Sequence, residues 1–187
     1  TGITIVPGMQ NWYANSAYGI SADGAVVVGD RSFGGTEEAW CYTPATQIQL
    51  VPFPAAQHAA YARSVTGNGQ IVVGTAITPG SLQSKAFRWD RSQATAVFLP
   101  QYTPSTVQNA AAADISEDGR RVVGTVQIGL SSYAAAWWDN GDAPVLFSHA
   151  GNTIQAVSAN AVAPDGNTVV GSGVNTVTGK GVTFKWT

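Results

Sequence analysis

The apolar positions of this chain come in short β-branched runs cut by glycine and by Asp-Gly or Asn-Gly pairs. That is the pattern of strands joined by tight turns, not of helices with a 3.6-residue stripe. Four runs read almost alike: "SADGAVVVGD" from Ser21, "TGNGQIVVGT" from Thr66, "SEDGRRVVGT" from Ser116 and "APDGNTVVGS" from Ala163. Their last glycines, Gly29, Gly74, Gly124 and Gly171, are separated by 45, 50 and 47 residues, the length of a small antiparallel sheet. A period of this size is the mark of a repeat architecture.

Each period carries the same strand signals. A first run, Ala-x-x-Ile or Val, ends at Ile20, Val65, Ile115 and Val162. The turn follows at Asp23-Gly24, Asn68-Gly69, Asp118-Gly119 or Asp165-Gly166, pairs that tolerate the positive φ of a hairpin between twisted strands. Val26 to Val28 and its equivalents then read as the returning strand. A loop with Gly34, Gly80, Gly129 or Gly179 near its middle leads to an aromatic strand: "AWCYT" from Ala39, "AFRWD" from Ala86, "AAWWD" from Ala135 and "TFKWT" from Thr183. Tyr42, Trp89, Trp138 and Trp186 recur there in register and read as packing between neighbouring sheets.

A closing strand, "IQLVP" from Ile48, "AVFLP" from Ala96 and "PVLFS" from Pro144, ends the first three periods. After Trp186 no such strand follows, but "ITIVP" from Ile3 has the same pattern. Ends in phase predict an all-β fold, a four-bladed β-propeller of four repeats of about 47 residues whose ring is closed by the N-terminal strand. A β-sandwich or a fragment of a larger propeller is the alternative. Residues 1–187 form one domain, with the closing strand at 1–8 and repeats at about 9–54, 55–101, 102–148 and 149–187.

The unit A-x-x-[IV]-S-x-D-G-x-x-V-V-G followed by an aromatic strand, best seen in "AYGISADGAVVVG", "AAADISEDGRRVVG" and "KAFRWD", resembles the HAF repeat of extracellular bacterial proteins. The histidine of that family's His-Ala-Phe tripeptide is replaced here by Glu38, Lys85, Ala134 and Val182. The resemblance implies a secreted or cell-surface bacterial protein and a scaffold, with no reaction attached to it.

Composition narrows the partners. Nine Lys and Arg against 11 Asp and Glu give a formal charge of -2, and basic residues never cluster beyond Arg120 and Arg121, so nucleic acid is not expected. One cysteine, Cys41, allows no disulfide or cysteine-based metal site within the chain. No apolar run is long enough for a membrane-spanning helix, so no membrane insertion is expected.

Candidate chemistry is sparse. Asp23, Asp118 and Asp165 bring one carboxylate per turn, too few for calcium's roughly six to eight oxygens. His58 and His149 have no second donor nearby, and zinc needs three or four protein ligands. Glu37 and Glu38 are the carboxylate pair a glycosidase would need, but neighbours on a strand point to opposite faces. No catalytic residue, metal or cofactor is therefore assigned.

Aromatics outside the repeat pattern are Trp12, Tyr13, Tyr61 and Tyr102 in connections between repeats and Phe33 and Tyr133 before the aromatic strands; Trp137 points away from Trp138. Loops on a rigid frame commonly carry binding, and aromatic faces with few charges suit sugar rings or a protein surface. The sequence thus predicts a non-catalytic extracellular or cell-surface recognition module that binds glycan or protein through these seven residues. The alternative is a structural protein that forms filaments with other copies by exchanging its N-terminal strand.

Overall fold

The computed structural model describes residues 5–9, 14–80, 83–105, 108–147 and 153–187. Fifteen strands and no helix are found among them. β1 (Ala14–Ile20), β2 (Val27–Phe33), β3 (Thr36–Thr43) and β4 (Gln47–Leu50) belong to the first repeat, and β5 (Ala59–Val65), β6 (Ile71–Ile77), β7 (Ser84–Asp90) and β8 (Val97–Phe98) to the second. The third repeat holds β9 (Ala110–Ile115), β10 (Arg121–Gln127), β11 (Tyr133–Asp139) and β12 (Val145–Leu146). The fourth holds β13 (Ile154–Val162), β14 (Val169–Asn175) and β15 (Gly181–Trp186).

Each repeat pairs with itself as an antiparallel meander, and a single parallel bridge, Glu37 to Ala59, joins the first two sheets. The first strands of consecutive sheets touch, β1 with β5, β5 with β9 and β9 with β13, whereas the fourth strands do not come together. The sheets therefore radiate from a shared inner edge, as propeller blades do.

Packing between sheets has a direction. Phe87 and Trp89 of the second sheet lie against Val28 and Cys41 of the first, and Trp138 of the third lies with Ile71 and Val73 of the second. Phe184 and Trp186 of the fourth meet Val123 and Phe147 of the third. Phe87, Trp89 and Trp138 are all but fully buried. Full burial of one such side chain contributes about 1.5–3 kcal/mol. Trp138 also donates from Nε1 to the Pro100 carbonyl at 2.9 Å, which removes the cost of hiding its one polar atom.

The conserved look of "VVG" across the repeats comes from crowding. A Cβ on Gly29, Gly74, Gly124 or Gly171 would collide with the carbonyl oxygen of Ser16, Tyr61, Ala111 or Ser158 on the adjoining first strand. At three of the four positions an aromatic ring, that of Trp40, Phe87 or Phe184, lies on the bare Cα as well. The carbonyl crosses over because the first strand carries one extra residue there: Tyr18, Arg63, Ala113 and Asn160 have no partner on the second strand. Each is a β-bulge, which bends the strand and turns one side chain to a new direction.

The Asp-Gly turns are built as expected, with φ of 73°, 71°, 73° and 74° at Gly24, Gly69, Gly119 and Gly166. In the first three repeats the hydroxyl of Ser21, Thr66 or Ser116 donates to Oδ1 of Asp23, Asn68 or Asp118 at 2.6, 2.7 and 2.6 Å. The same hydroxyl accepts the amide of Val26, Ile71 or Arg121. These hydrogen bonds, led by the hydroxyl's, hold the Asp23 and Asp118 carboxyls below their ordinary value. Turns also tie sheet to sheet: Ala22 N donates to the Gly67 carbonyl at 2.8 Å, and Glu117 N to that of Pro164 at 2.9 Å. Arg121 grips Asp139 through two nitrogens at 2.8 and 3.0 Å and reaches the Gly166 carbonyl at 2.8 Å.

The N-terminal closing strand falls partly on residues 1–4, outside the described residues. Ile5 and Val6 are not in a strand, Ile5 is 67% exposed, and Met9 N donates to the Val6 carbonyl at 3.2 Å. Among the described residues β15 has no outer partner, and no strand of the fourth sheet packs broadly on one of the first.

Replacing Gly124 with alanine puts a methyl against the Ala111 backbone and is expected to lower stability by about 1–3 kcal/mol. Gly181, whose Cβ would meet open space, is the control, with a change within about 0.5 kcal/mol. Thermal unfolding of the two variants beside the parent checks this.

Candidate functional site

The bulges determine what faces the inner edge. Two of the bulged side chains, Tyr18 and Arg63, flank an open groove of about 520 Å³, together with Tyr61 and Thr75. Ala111, Ala112 and Ala113 line it as well, so at its bulge the third sheet has the methyl group of Ala113 where the first two have a phenol and a guanidinium. The fourth bulge places Asn160, which is exposed, further along the same register.

Arg63 is held by aromatic faces. Its guanidinium carbon is 4.3 Å from the Tyr18 ring centroid and 5.1 Å from that of Tyr61. Such contacts are worth about 0.5–1 kcal/mol each at exposed sites and more when desolvated. No acceptor hydrogen-bonds to its N–H groups among the described residues, although a guanidinium carries five such donors.

Asp30 lies next to this pair and is only 8% exposed. Burial pushes its carboxyl above the ordinary value; a hydrogen bond from Tyr18 and the charge of Arg63 pull it back, and Glu37 raises it further. Among the described residues its Oδ1 has no hydrogen-bond partner. The Tyr61 hydroxyl is also pushed up, by burial first and then by the charges of Glu37 and Asp30.

Asp114 fastens the inner edge behind the groove. Oδ1 accepts the Ser64 hydroxyl at 2.6 Å and the Ile115 amide at 2.9 Å, and Oδ2 accepts the Val162 amide at 2.9 Å. One carboxylate thus bonds to β5, β9 and β13.

Of the aromatics singled out in the sequence, Tyr61 lines this groove. Trp12 and Tyr13, together with the Phe33 side chain, lie outside the described residues. Tyr102 packs against the core between the second and third sheets. Trp137 packs in the next interface, its ring centroid 4.6 Å from that of Phe147 and 5.3 Å from that of Trp186. Tyr133 is 42% exposed at the start of β11.

Tyr18 and Arg63 were not singled out, although a signal existed. They occupy the first variable place of A-x-x-[IV], which reads Tyr, Arg, Ala and Asn in turn. A position that changes class from repeat to repeat inside a fixed frame is a position the frame does not need.

Of the remaining candidates, the carboxylates of Glu38 and of the Asp-Gly turns are engaged elsewhere. Glu38 is in an ion pair with Arg31 at 2.9 Å. Oδ1 of Asp23, Asp118 and Asp165 accepts the amide two residues on, within its own turn. The His58 amide donates to the Ile77 carbonyl at 2.8 Å, and His149 lies outside the described residues. No cluster of three His, Cys, Asp or Glu side chains able to hold a metal occurs among the described residues.

No family model matches this chain, and no curated protein matches it. Solved structures do. TolB from Acinetobacter baumannii is similar at a TM-score of 0.59 and 16% identity, over 91% of this chain and 43% of that one. The putative TolB from Agrobacterium tumefaciens is similar at 0.59 and 12%, over 91% and 57%. A prolyl endopeptidase is similar at 0.57 and 11%, over 92% of this chain and 26% of the other. Identities this low speak to fold alone. The fold is all-β and propeller-like, and the chain spans less than two thirds of each of these three proteins.

Because burial raises the folded-state value of the Asp30 carboxyl above its unfolded value, its charge opposes folding at neutral pH. That opposition fades as pH falls through the raised value. Asp30→Asn is accordingly expected to raise the melting temperature at pH 7, with a gain that shrinks toward pH 4, as scanning calorimetry across that range will read.

Proposed function

We propose that this chain is a non-catalytic recognition module of an extracellular or cell-surface bacterial protein, binding glycan or protein in the inner groove. The observation that carries this reading is the bulge shared by the first strands, which leaves Tyr18 and Arg63 without a partner on the second strand and presents them beside Tyr61. A buried carboxylate that costs stability behind those side chains fits a surface shaped for a ligand rather than for the fold. The likeness of the repeat unit to HAF repeats supports the location.

A glycan array and a pull-down from bacterial surface extracts test it. The Tyr18→Ala, Tyr61→Ala double variant is expected to lose at least tenfold in affinity for whatever the parent retains. Tyr133→Ala, at an exposed ring away from the groove, leaves binding unchanged. Equal binding by the double variant overturns the groove as the site.

A second reading, assembly by strand exchange, is favoured by the outer edge of β15, which has no strand partner among the described residues, whereas β4, β8 and β12 cover the matching edge of the other sheets. Residues 1–8 resemble those closing strands and can complete the fourth sheet either within the chain, as a four-bladed closed ring, or between copies. Deletion of residues 1–8 separates these. A lowered melting temperature in a monomer indicates the closed ring, whereas an unchanged melting temperature with loss of concentration-dependent mass in light scattering indicates exchange.

A further inference from the structure

We propose that the groove recognises an acidic polysaccharide, with Arg63 receiving the carboxylate of a uronic acid unit. The proposal rests on the recognition reading above and names the ligand class of that same site.

Three observations converge. Arg63 is a guanidinium with its donors unspent: Tyr18 and Tyr61 hold its plane, and no hydrogen bond or ion pair within the described residues uses its N–H groups. A planar fork of this kind matches a carboxylate through two parallel hydrogen bonds, which are about twice as strong as neutral ones. The neighbouring negative charges are Asp30, buried and engaged by the Tyr18 hydroxyl, and Glu37, which acts on Asp30 and Tyr61. They keep the guanidinium from standing uncompensated when the groove is empty.

The alanine lining is the second observation. Ala111, Ala112 and Ala113 leave room beside Arg63 where a larger bulged side chain would fill it, and 520 Å³ falls in the range of roughly 300–1,000 Å³ usual for ligand sites. The walls are the third. Tyr18 is 45% exposed, so part of its ring is free to lie along the C–H face of a sugar, and the Thr75 hydroxyl lines the same groove. Beyond it Asn160 is exposed at the next bulge, and Ser158 and Ser172 bond to one another at 2.7 Å, so the inner edge continues in amides and hydroxyls suited to successive sugar hydroxyls. A peptide terminus would call for an apolar side-chain pocket beside the guanidinium, and alanine methyls alone do not form one.

Isothermal titration with tetragalacturonic acid, its fully methyl-esterified form and an acetylated tetraglutamate peptide tests this. The acid is expected to bind at least tenfold more tightly than the ester or the peptide. Arg63→Gln should abolish that difference and Arg63→Lys should keep part of it, with circular dichroism showing that each variant stays folded despite the lost contacts with the Tyr18 and Tyr61 rings. Tyr18→Phe, which retains the ring but releases Asp30, serves as a second variant and should weaken the acid more than the ester. Equal binding of acid and ester, tighter binding of the peptide, or no binding of the acid each overturns the inference. If the array then still reports a neutral glycan or a protein lost in the tyrosine double variant, recognition at the groove stands and only its acidic ligand falls.

Discussion

A carbonyl oxygen resting on a bare Cα is the contact on which this fold depends. At Gly29, Gly74, Gly124 and Gly171 the first strand crosses so close to the second that no side chain fits between them. The approach exists because the first strand holds one residue too many, and the surplus has to go somewhere. Glycine serves here by its missing atom and not by an unusual φ. The bulge, the inward turn of the first strand and the seating of Trp40, Phe87 and Phe184 all follow from it.

The same contact separates residues that pack from one that does not within a stretch of four. In Ala62-Arg63-Ser64-Val65 the alanine is buried against the core, the valine closes it, and the serine binds Asp114 on the neighbouring sheet. Only Arg63 is left over. The first repeat leaves Tyr18 in that place, and between them they make the groove. A site assembled from leftovers of regular packing can change its chemistry without disturbing the sheets, which is how repeat scaffolds vary what they bind.

Most of the architecture was legible in the sequence because it is written four times. The Asp-Gly turns, the returning strands and the aromatic strands carry local signals, and Trp89 and Trp138 are as buried as their recurrence implied. The site was harder to read. Tyr61 could be picked out as an aromatic outside the pattern, but Tyr18 and Arg63 sit inside a strand whose alternation suggests nothing unusual, and a bulge leaves no trace in a period-two pattern. Trp137 shows the converse. Alternation pointed its ring away from Trp138 and left open whether a neighbouring sheet covers it; Phe147, just after β12, and Trp186 of β15 do so.

The one-way packing of the sheets has a consequence for how such a chain can evolve. The second and third sheets show large rings on their backward faces, Phe87 and Trp89 meeting Val28 and Cys41 and Trp138 meeting Ile71 and Val73, whereas the third and fourth sheets meet ring on ring at Phe147 and Trp186. Duplicating the second repeat in tandem sets its ringed face, Phe87 and Trp89, beside its own receptive one, Ile71 and Val73, so the new copy arrives with its interface already fitted. An inverted or partial insertion at that place would break the match of face to face, which makes lengthening by whole units the path of least resistance.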